Sequence, residues 1–532
     1  MSNLNPEEYV DISTIGIDAV PANSAPLPSS SDKATVSYWL ATNPHNLHAA
    51  TIDRLPPNSD VVIIGSGITG VSTAYHLVNA SGPSISSITV IEARAFCSGA
   101  TGRNGGHLTA ASALAYTDLA ANPNHLLGAR IHSLNAEDVK VEAAKVVEDI
   151  LAFETHTADA IREIIKKEHA EEKVGFADEK NWHLCFDQRE EDAFEHSLAQ
   201  AAEHAGLHKY VDQVRRVPKD EVDQRMNSPA GIKAVYEIPG ATLHPRSLVT
   251  ILFQSARSIA ASKNIELNLI TDLPVLNITS SPSGESICTT SHGDIRAKYV
   301  VHSTNGYASH LLPHLSSSDT GIIPTRAQVV AVAPTSGEHL WGMGLSAGGG
   351  YEYGHQRPSS ESDTPLYIFG GGREYATGRE WGVADDTTVN PEVSEFLHPY
   401  LANVFPQSYG EDVRSEWTGI MGYTRSKDPL VGPVQAEGRA GKEYVAAGYS
   451  GHGMTRAFGC AGVVADMIVA DAGTGRWRKR EGFPECYLTE EAKALLSGTS
   501  LDKDGYTDGD KENDTGLPEK DAPSGGGCCT IA

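Results

Sequence analysis

Three glycines spaced as Gly65-Ser66-Gly67-Ile68-Thr69-Gly70 follow directly on the β-branched run Val61-Val-Ile-Ile64. That spacing suits a strand that turns tightly into a helix. Gly65 makes the turn, Gly67 admits a pyrophosphate against bare backbone, and Gly70 lets the helix pack closely on the strand. The phosphates would meet unpaired N–H groups at the positive end of the helix dipole. A second apolar run, Ile88-Thr-Val-Ile91, ends in Glu92, 22 residues beyond Gly70. A carboxylate there can accept hydrogen bonds from ribose hydroxyls and disfavours a ribose 2′-phosphate. The chemistry is dinucleotide binding, and these residues alone do not separate FAD from NAD.

Three further segments carry chemistry. Ala93 to Leu108 is a loop containing Gly99, Gly102, Gly105 and Gly106, able to bring backbone amides against a flat or anionic group. Gly448-Tyr-Ser-Gly451-His452-Gly453-Met454 repeats the opening device, with a strand delivering a helix N-terminus. Thr304-Asn305-Gly306 ends a strand in small polar residues, where an open α/β sheet places ligands.

Those segments need a scaffold. We expect packing helices over 134–170 and 188–206, to which we assign no chemistry, a helix over 247–262, and one from Gly453 to about 471. Strands are expected at 265–270, 274–278 and 293–302, and a β-rich stretch over 322–380. The fold class is α/β with an α+β second domain: a Rossmann-type nucleotide-binding domain with an inserted β-rich substrate domain. We place the nucleotide domain at 58–133, 231–310 and 411–475, and the substrate domain at 134–230 and 311–410. Residues 1–57 form an N-terminal extension, partly disordered, whose island Tyr38-Trp39-Leu40 lies on the folded body. Residues 476–532 form a C-terminal segment with a disordered tail from about 497.

The 532 residues carry a formal charge of −26, which argues against nucleic acid as a partner. Seven scattered cysteines show no metal spacing or disulfide framework, suggesting a reducing compartment. Neither a targeting signal nor an apolar run of membrane-spanning length is expected, so the default location is cytoplasmic. The final Cys529-Thr-Ile-Ala532 fits a farnesylation box, with Cys528 open to palmitoylation, which would tether the chain to a membrane.

With these motifs in order, the chain resembles the D-amino-acid oxidase, glycine oxidase and sarcosine oxidase superfamily of FAD-dependent oxidoreductases over roughly 58–475. Trp417-Thr-Gly419 through Asp428-Pro-Leu-Val-Gly432 adds to the match, and Thr101 to Gly106 with Tyr38-Trp39-Leu40 is similar to γ-glutamylputrescine oxidoreductases and their fungal relatives. The resemblance implies extended FAD and oxidation of a C–N bond of an amine or amino acid, with oxygen as acceptor, giving imine and hydrogen peroxide. It assigns to FAD Gly65, Ser66, Gly67, Ile68, Thr69 and Gly70, then Glu92, Ala93 and Arg94. Gly102, Arg103, Asn104, Gly105, Gly106, His107 and Leu108 follow, with Val275 at adenine, Thr304, Asn305 and Gly306 near the pyrophosphate, and Gly422, Gly451, His452, Gly453 and Met454 around the ring. Non-covalent FAD is expected, since Met421-Gly422 replace a tethering cysteine and Asn104 a tethering histidine, although His107 is close by. Arg326 and Arg373 are candidates for a substrate carboxylate and His452 for charge at the ring, while Tyr353, Tyr375 and Trp417 are candidate pocket aromatics.

Two other readings stay open at this point. One is a flavoprotein amine dehydrogenase passing electrons to a partner or quinone, and the other a non-catalytic, FAD-stabilised binding protein. A monooxygenase is disfavoured, because no second dinucleotide fingerprint is present.

Overall fold

A computed structural model describes residues 16–42, 47, 55–80, 84–336, 340–358, 364–473 and 475–497. Cys528, Cys529 and the start of the N-terminal extension lie outside the described residues.

Two eight-stranded sheets organise the chain. In the first, Asn58–Ile64 runs parallel between Ser87–Ile91 and Gly293–His302, with Glu266–Ile270 and Lys442–Ala447 extending the parallel array on either side. Val61 to Ile64 are all buried, as expected of a parallel strand covered on both faces. The helices Ile68–Ala80, Pro245–Ser262 and Gly453–Ala472 pack into the core on one face. The hairpin Val275–Ser280 and Ser286–Thr290 continues from Gly293–His302.

The second sheet runs Tyr409–Tyr423, Ile323–Pro334, Tyr367–Gly370, Glu352–Gln356, Gly344–Ala347, Asn181–Cys185, Ala234–Ile238 and Arg215–Arg216, paired mostly antiparallel. Two segments that the sequence groups with the nucleotide domain, 411–423 and 234–238, pair in this sheet instead. Conversely, Ala136–Lys167, grouped with the substrate domain, shares the core of the nucleotide sheet's helices through Val147, Ile150 and Leu151. Strand and helix periodicity identify such elements but not which sheet they join.

That long helix is locally well specified. Asn135 caps it by accepting from the N–H groups of Glu137 and Asp138, both at 3.0 Å, and Lys166 and Lys167 occupy its last turn, complementing the dipole.

The island 38–40 packs on the folded body through Trp39, which is fully buried against Trp417 and the second sheet and whose indole N–H donates to the Asn104 carbonyl at 2.6 Å. One expectation is corrected. Gly453–Ala472, at 20 residues with mean hydropathy 1.3, is long and apolar enough to cross a bilayer, contrary to the sequence reading. Its apolarity has another cause, because 72% of its most apolar window is buried inside the fold.

Candidate active site

The carboxyl ends of four parallel strands converge on one large cavity, lined in turn by Ile64–Gly65, Ile91–Glu92, Ser303–Thr304 and Tyr449–Met454. Gly65 turns there with φ of +106°, and its N–H donates to the Ile91 carbonyl at 2.8 Å. A Cβ on Gly70 would stand 1.9 Å from the Gly65 carbonyl oxygen, so glycine is what permits helix and strand to approach. Glu92 accepts from the backbone N–H and hydroxyl of Ser66, each at 2.9 Å, and from the Arg94 N–H at 3.0 Å. These bonds fix its carboxylate on the cavity wall and leave lone pairs for a ribose.

The 93–108 loop passes over this floor with one short 3₁₀ turn at Ala100–Gly102. Its end is pinned to a neighbouring segment: the Leu108 N–H donates to Ala241 O at 2.7 Å and the Leu243 N–H to Gly106 O at 2.8 Å. Arg94 and Arg103 line the cavity, but their guanidinium groups serve the protein. Arg94 pairs with Asp386 at 2.7 Å, and Arg103 donates to the carbonyls of Ser98 (2.7 Å), Thr35 (2.7 Å) and Thr418 (2.9 Å). Burial pushes Arg103 down to about 10, against the pull of Asp386. Both arginines therefore shape the loop, and what they present to a cofactor is backbone.

Arg373, also on the cavity wall, is buried with its guanidinium over three rings, 5.1 Å from Tyr351, 4.6 Å from Trp381 and 5.0 Å from Tyr423. Tyr351, Tyr353 and Tyr423 share the wall with it. Arg326 does not. It lies one residue from the lining Ala327 on a strand, where neighbours face opposite sides, and it is ion-paired with Glu380 and bonded to Thr388 at 3.0 Å. Tyr375 is exposed and stacks on Phe396, and Trp417 lies in the core, so neither lines the cavity.

His452 does line it, at the N-terminus of Gly453–Ala472, which has no side-chain cap. Beneath it is a residue not singled out from the sequence. Glu154, fully buried on Ala136–Lys167, receives Nε of Arg456 at 2.7 Å, the Thr455 hydroxyl at 2.9 Å and the Ala111 N–H at 2.9 Å, with Nδ1 of His452 3.4 Å away. Burial alone would raise this carboxyl, but Arg456 and His452 hold it well below the usual range. The only signal in the sequence is an acid falling on the apolar stripe of an amphipathic helix.

Of the residues assigned to FAD, Gly65, Gly67, Ile68, Thr69, Glu92, Ala93, Arg94, Arg103 to His107, Val275, Thr304, Asn305 and Gly451 to Met454 line the cavity. Six stand behind its wall. Ser66 holds Glu92, Gly70 packs on Gly65, and Gly102 lies close to the Cys97 carbonyl. Leu108 is a core residue, while Gly306 and Gly422 make the close contact between the Asn305 turn and the last strand of the second sheet. Lining residues not individually assigned to FAD from the sequence include Thr101, Tyr307, Ser303, Gly371 and Tyr449, of which Thr101 and Tyr449 fall in the two glycine segments expected at the cofactor.

The lining fits FAD. The hydroxyls of Ser303 and Thr304 and Nε2 of His452 are buried on the wall without a hydrogen-bond partner, as donors and acceptors for a bound group would be. Glu92 suits the ribose, the Gly67–Thr69 turn the phosphates, Val275 the adenine, and the space between the 104–107 loop and Gly451–Met454 the ring. The model of one family, described as FAD dependent oxidoreductase, matches residues 60–467. The chain belongs to that family. Among curated proteins it is similar to γ-glutamylputrescine oxidoreductase of Escherichia coli, 23% identical over 78% of this chain and 84% of the relative. It shares its fold with L-proline dehydrogenase from P. horikoshii (TM-score 0.58, 20% identity, covering 83% of this chain and all of that one). Glycine oxidase from Geobacillus kaustophilus has the same fold (TM-score 0.56, 18% identity, covering 78% and 95%). In this FAD-dependent family member the residues that suit adenosine and those that suit the ring line one continuous cavity.

Proposed function

We propose that the protein oxidises a C–N bond of a carboxylate-bearing amine, such as an amino acid, to the imine, with oxygen reduced to hydrogen peroxide. The observation that carries the substrate class is Arg373. Glu92 is the one carboxylate among the lining residues, whereas Arg373 brings a guanidinium to the stretch of wall it shares with Tyr351 and Tyr423. A planar guanidinium among aromatic faces suits bidentate binding of a carboxylate. Both the family and the E. coli relative named for an amine substrate support the reading.

Bound FAD supplies the two-electron acceptor for a hydride from the carbon beside nitrogen. The chain's own residues do the rest. Arg373 holds the carboxylate, so that the amine carbon has one orientation toward the ring. Tyr351, Tyr353 and Tyr423 exclude water around it, and burial keeps the Tyr353 phenol protonated by pushing its pKa up. The uncapped N–H groups of the Gly453–Ala472 helix favour negative charge as it develops at that end of the cavity. We further propose that FAD is held without a covalent bond, because Asn104 and Met421 occupy the wall where a tether would stand.

The test is anaerobic bleaching of the purified yellow protein against a panel of amino acids, N-methyl amino acids and polyamine derivatives. Bleaching by a carboxylate-bearing amine, followed by peroxide release when oxygen is admitted, is the expected result. Bleaching without peroxide would move the assignment to a dehydrogenase, and a flavin that no amine reduces would sink it. Acid precipitation should leave the colour in solution.

A further inference from the structure

A second, smaller chamber of about 60 Å³ lies against the first, and His452 stands in the wall of both. Its polar lining includes Asp118, Asn122, His125, Ser426, Asp428 and Arg456. A chamber of that size holds roughly four waters at ~15 Å³ each, and the lining offers them enough polar partners.

The two histidines on this chamber differ in what they face. At the inner side, Nδ1 of His452 lies 3.4 Å from the Glu154 carboxylate, which, being ionised, can only accept. The proton of a neutral His452 ring is therefore on Nδ1, leaving a lone pair on Nε2, the atom that is buried without a partner. At the outer side, Nε2 of His125 lies 2.8 Å from Asp428, with the histidine side chain 26% exposed and the aspartate 7%. Arg456 joins the two ends: it is 2.7 Å from Glu154 and 3.6 Å from Asp428, and its guanidinium also donates to the Lys427 carbonyl at 2.8 Å. The Tyr487 ring lies 5.2 Å from the Arg456 guanidinium, and the buried Cys486 thiol sits beside His125 and Asp428. Arg456 is thus one cation set between two buried carboxylates, each of which also faces an imidazole.

We propose that the second chamber is a water-filled proton path between the reaction cavity and solvent, with His452 as inner relay and the His125–Asp428 pair as outer relay. The source of the proton rests on the amine reading; the path itself does not. In the forward direction a substrate N–H bond breaks, its electron pair stays on nitrogen, and the proton bonds to Nε2 of His452. The long contact to Glu154 lets the ring swing, so that Nε2 passes the proton to chamber water. The water passes it to His125, and His125 to bulk solvent. Reduction of the bound cofactor in the absence of amine draws a proton inward along the same route.

The experiment uses the FAD-loaded protein without any amine, so that failure of the substrate reading cannot affect it. The flavin is reduced by a laser flash with a deazaflavin donor, and proton uptake is followed with an indicator dye. In His125→Gln, uptake should slow several-fold while flavin content stays at the wild-type value, and added imidazole should restore the rate. Ala115→Leu, which fills the chamber from its apolar wall, should slow uptake without rescue. Uptake at the wild-type rate in either variant, or a His125→Gln rate that imidazole does not restore, overturns the path.

Discussion

Asp386 and Arg94 form a buried ion pair at 2.7 Å across 292 residues of sequence, and the same carboxylate lies 3.6 Å from Arg103. Both arginines belong to the loop over the cofactor cavity, and Asp386 is fully buried. Asp386→Asn should therefore lower stability by about 3–5 kcal/mol, because it leaves buried guanidinium charge without its partner. Chemical denaturation of the FAD-loaded protein measures it. Flavin affinity should fall as well, since the loop loses its anchor.

Glycine is required at position 70 and not at position 99. A Cβ on Gly70 would meet the Gly65 carbonyl at 1.9 Å, whereas on Gly99 it would meet nothing nearer than Arg94 Nη2 at 3.9 Å. Gly70→Ala should abolish yellow colour on purification. Gly99→Ala should retain FAD with the wild-type spectrum.

Acid should destabilise the protein in a defined window. Burial pushes His76 and His107 down to about 4 and His244 to about 3, from an ordinary value of 6.5. A histidine depressed in the fold takes up its proton more readily when unfolded. Its contribution is therefore complete above pH 6.5 and is lost as the pH falls from there toward 4. Each such group is worth about 3 kcal/mol across the window on the scale of 1.36 kcal/mol per unit, and a falling thermal midpoint should report it. His76→Phe should flatten the slope; an unchanged slope would show that His76 is not held neutral.

Replacing Arg373 separates its role from that of Arg326. Arg373→Ala should raise KM for a carboxylate-bearing substrate roughly 10- to 150-fold, the equivalent of ~1.5–3 kcal/mol for hydrogen bonds to a charged group, with the flavin spectrum little changed. Arg326→Ala leaves Glu380 buried without its partner, so its effect should fall on thermal midpoint and not on KM.

The cofactor half of the site was legible because its determinants are local. Gly65, Gly67, Gly70 and Glu92 lie within one strand–helix–strand unit, where spacing along the chain fixes position in space. The Gly451–Met454 turn repeats that logic. The substrate half was only partly legible. Arg326 and Arg373 look alike in sequence, and strand alternation together with the pairing of Arg326 with Glu380 is what turns one from the cavity and leaves the other on it.

What the sequence by itself determined is the dinucleotide unit, the second helix start and the order of helices and strands, all set by turn chemistry and periodicity over a few tens of residues. Only the tertiary structure decided that Trp39 lies beneath the glycine loop, that strand 409–423 joins the second sheet, and that Glu154 sits under His452 at a separation of 298 residues. These depend on which surfaces meet when the two sheets and their helices pack. A buried polar side chain shows its period in the sequence, but its partner is fixed by the packing that removes both from water.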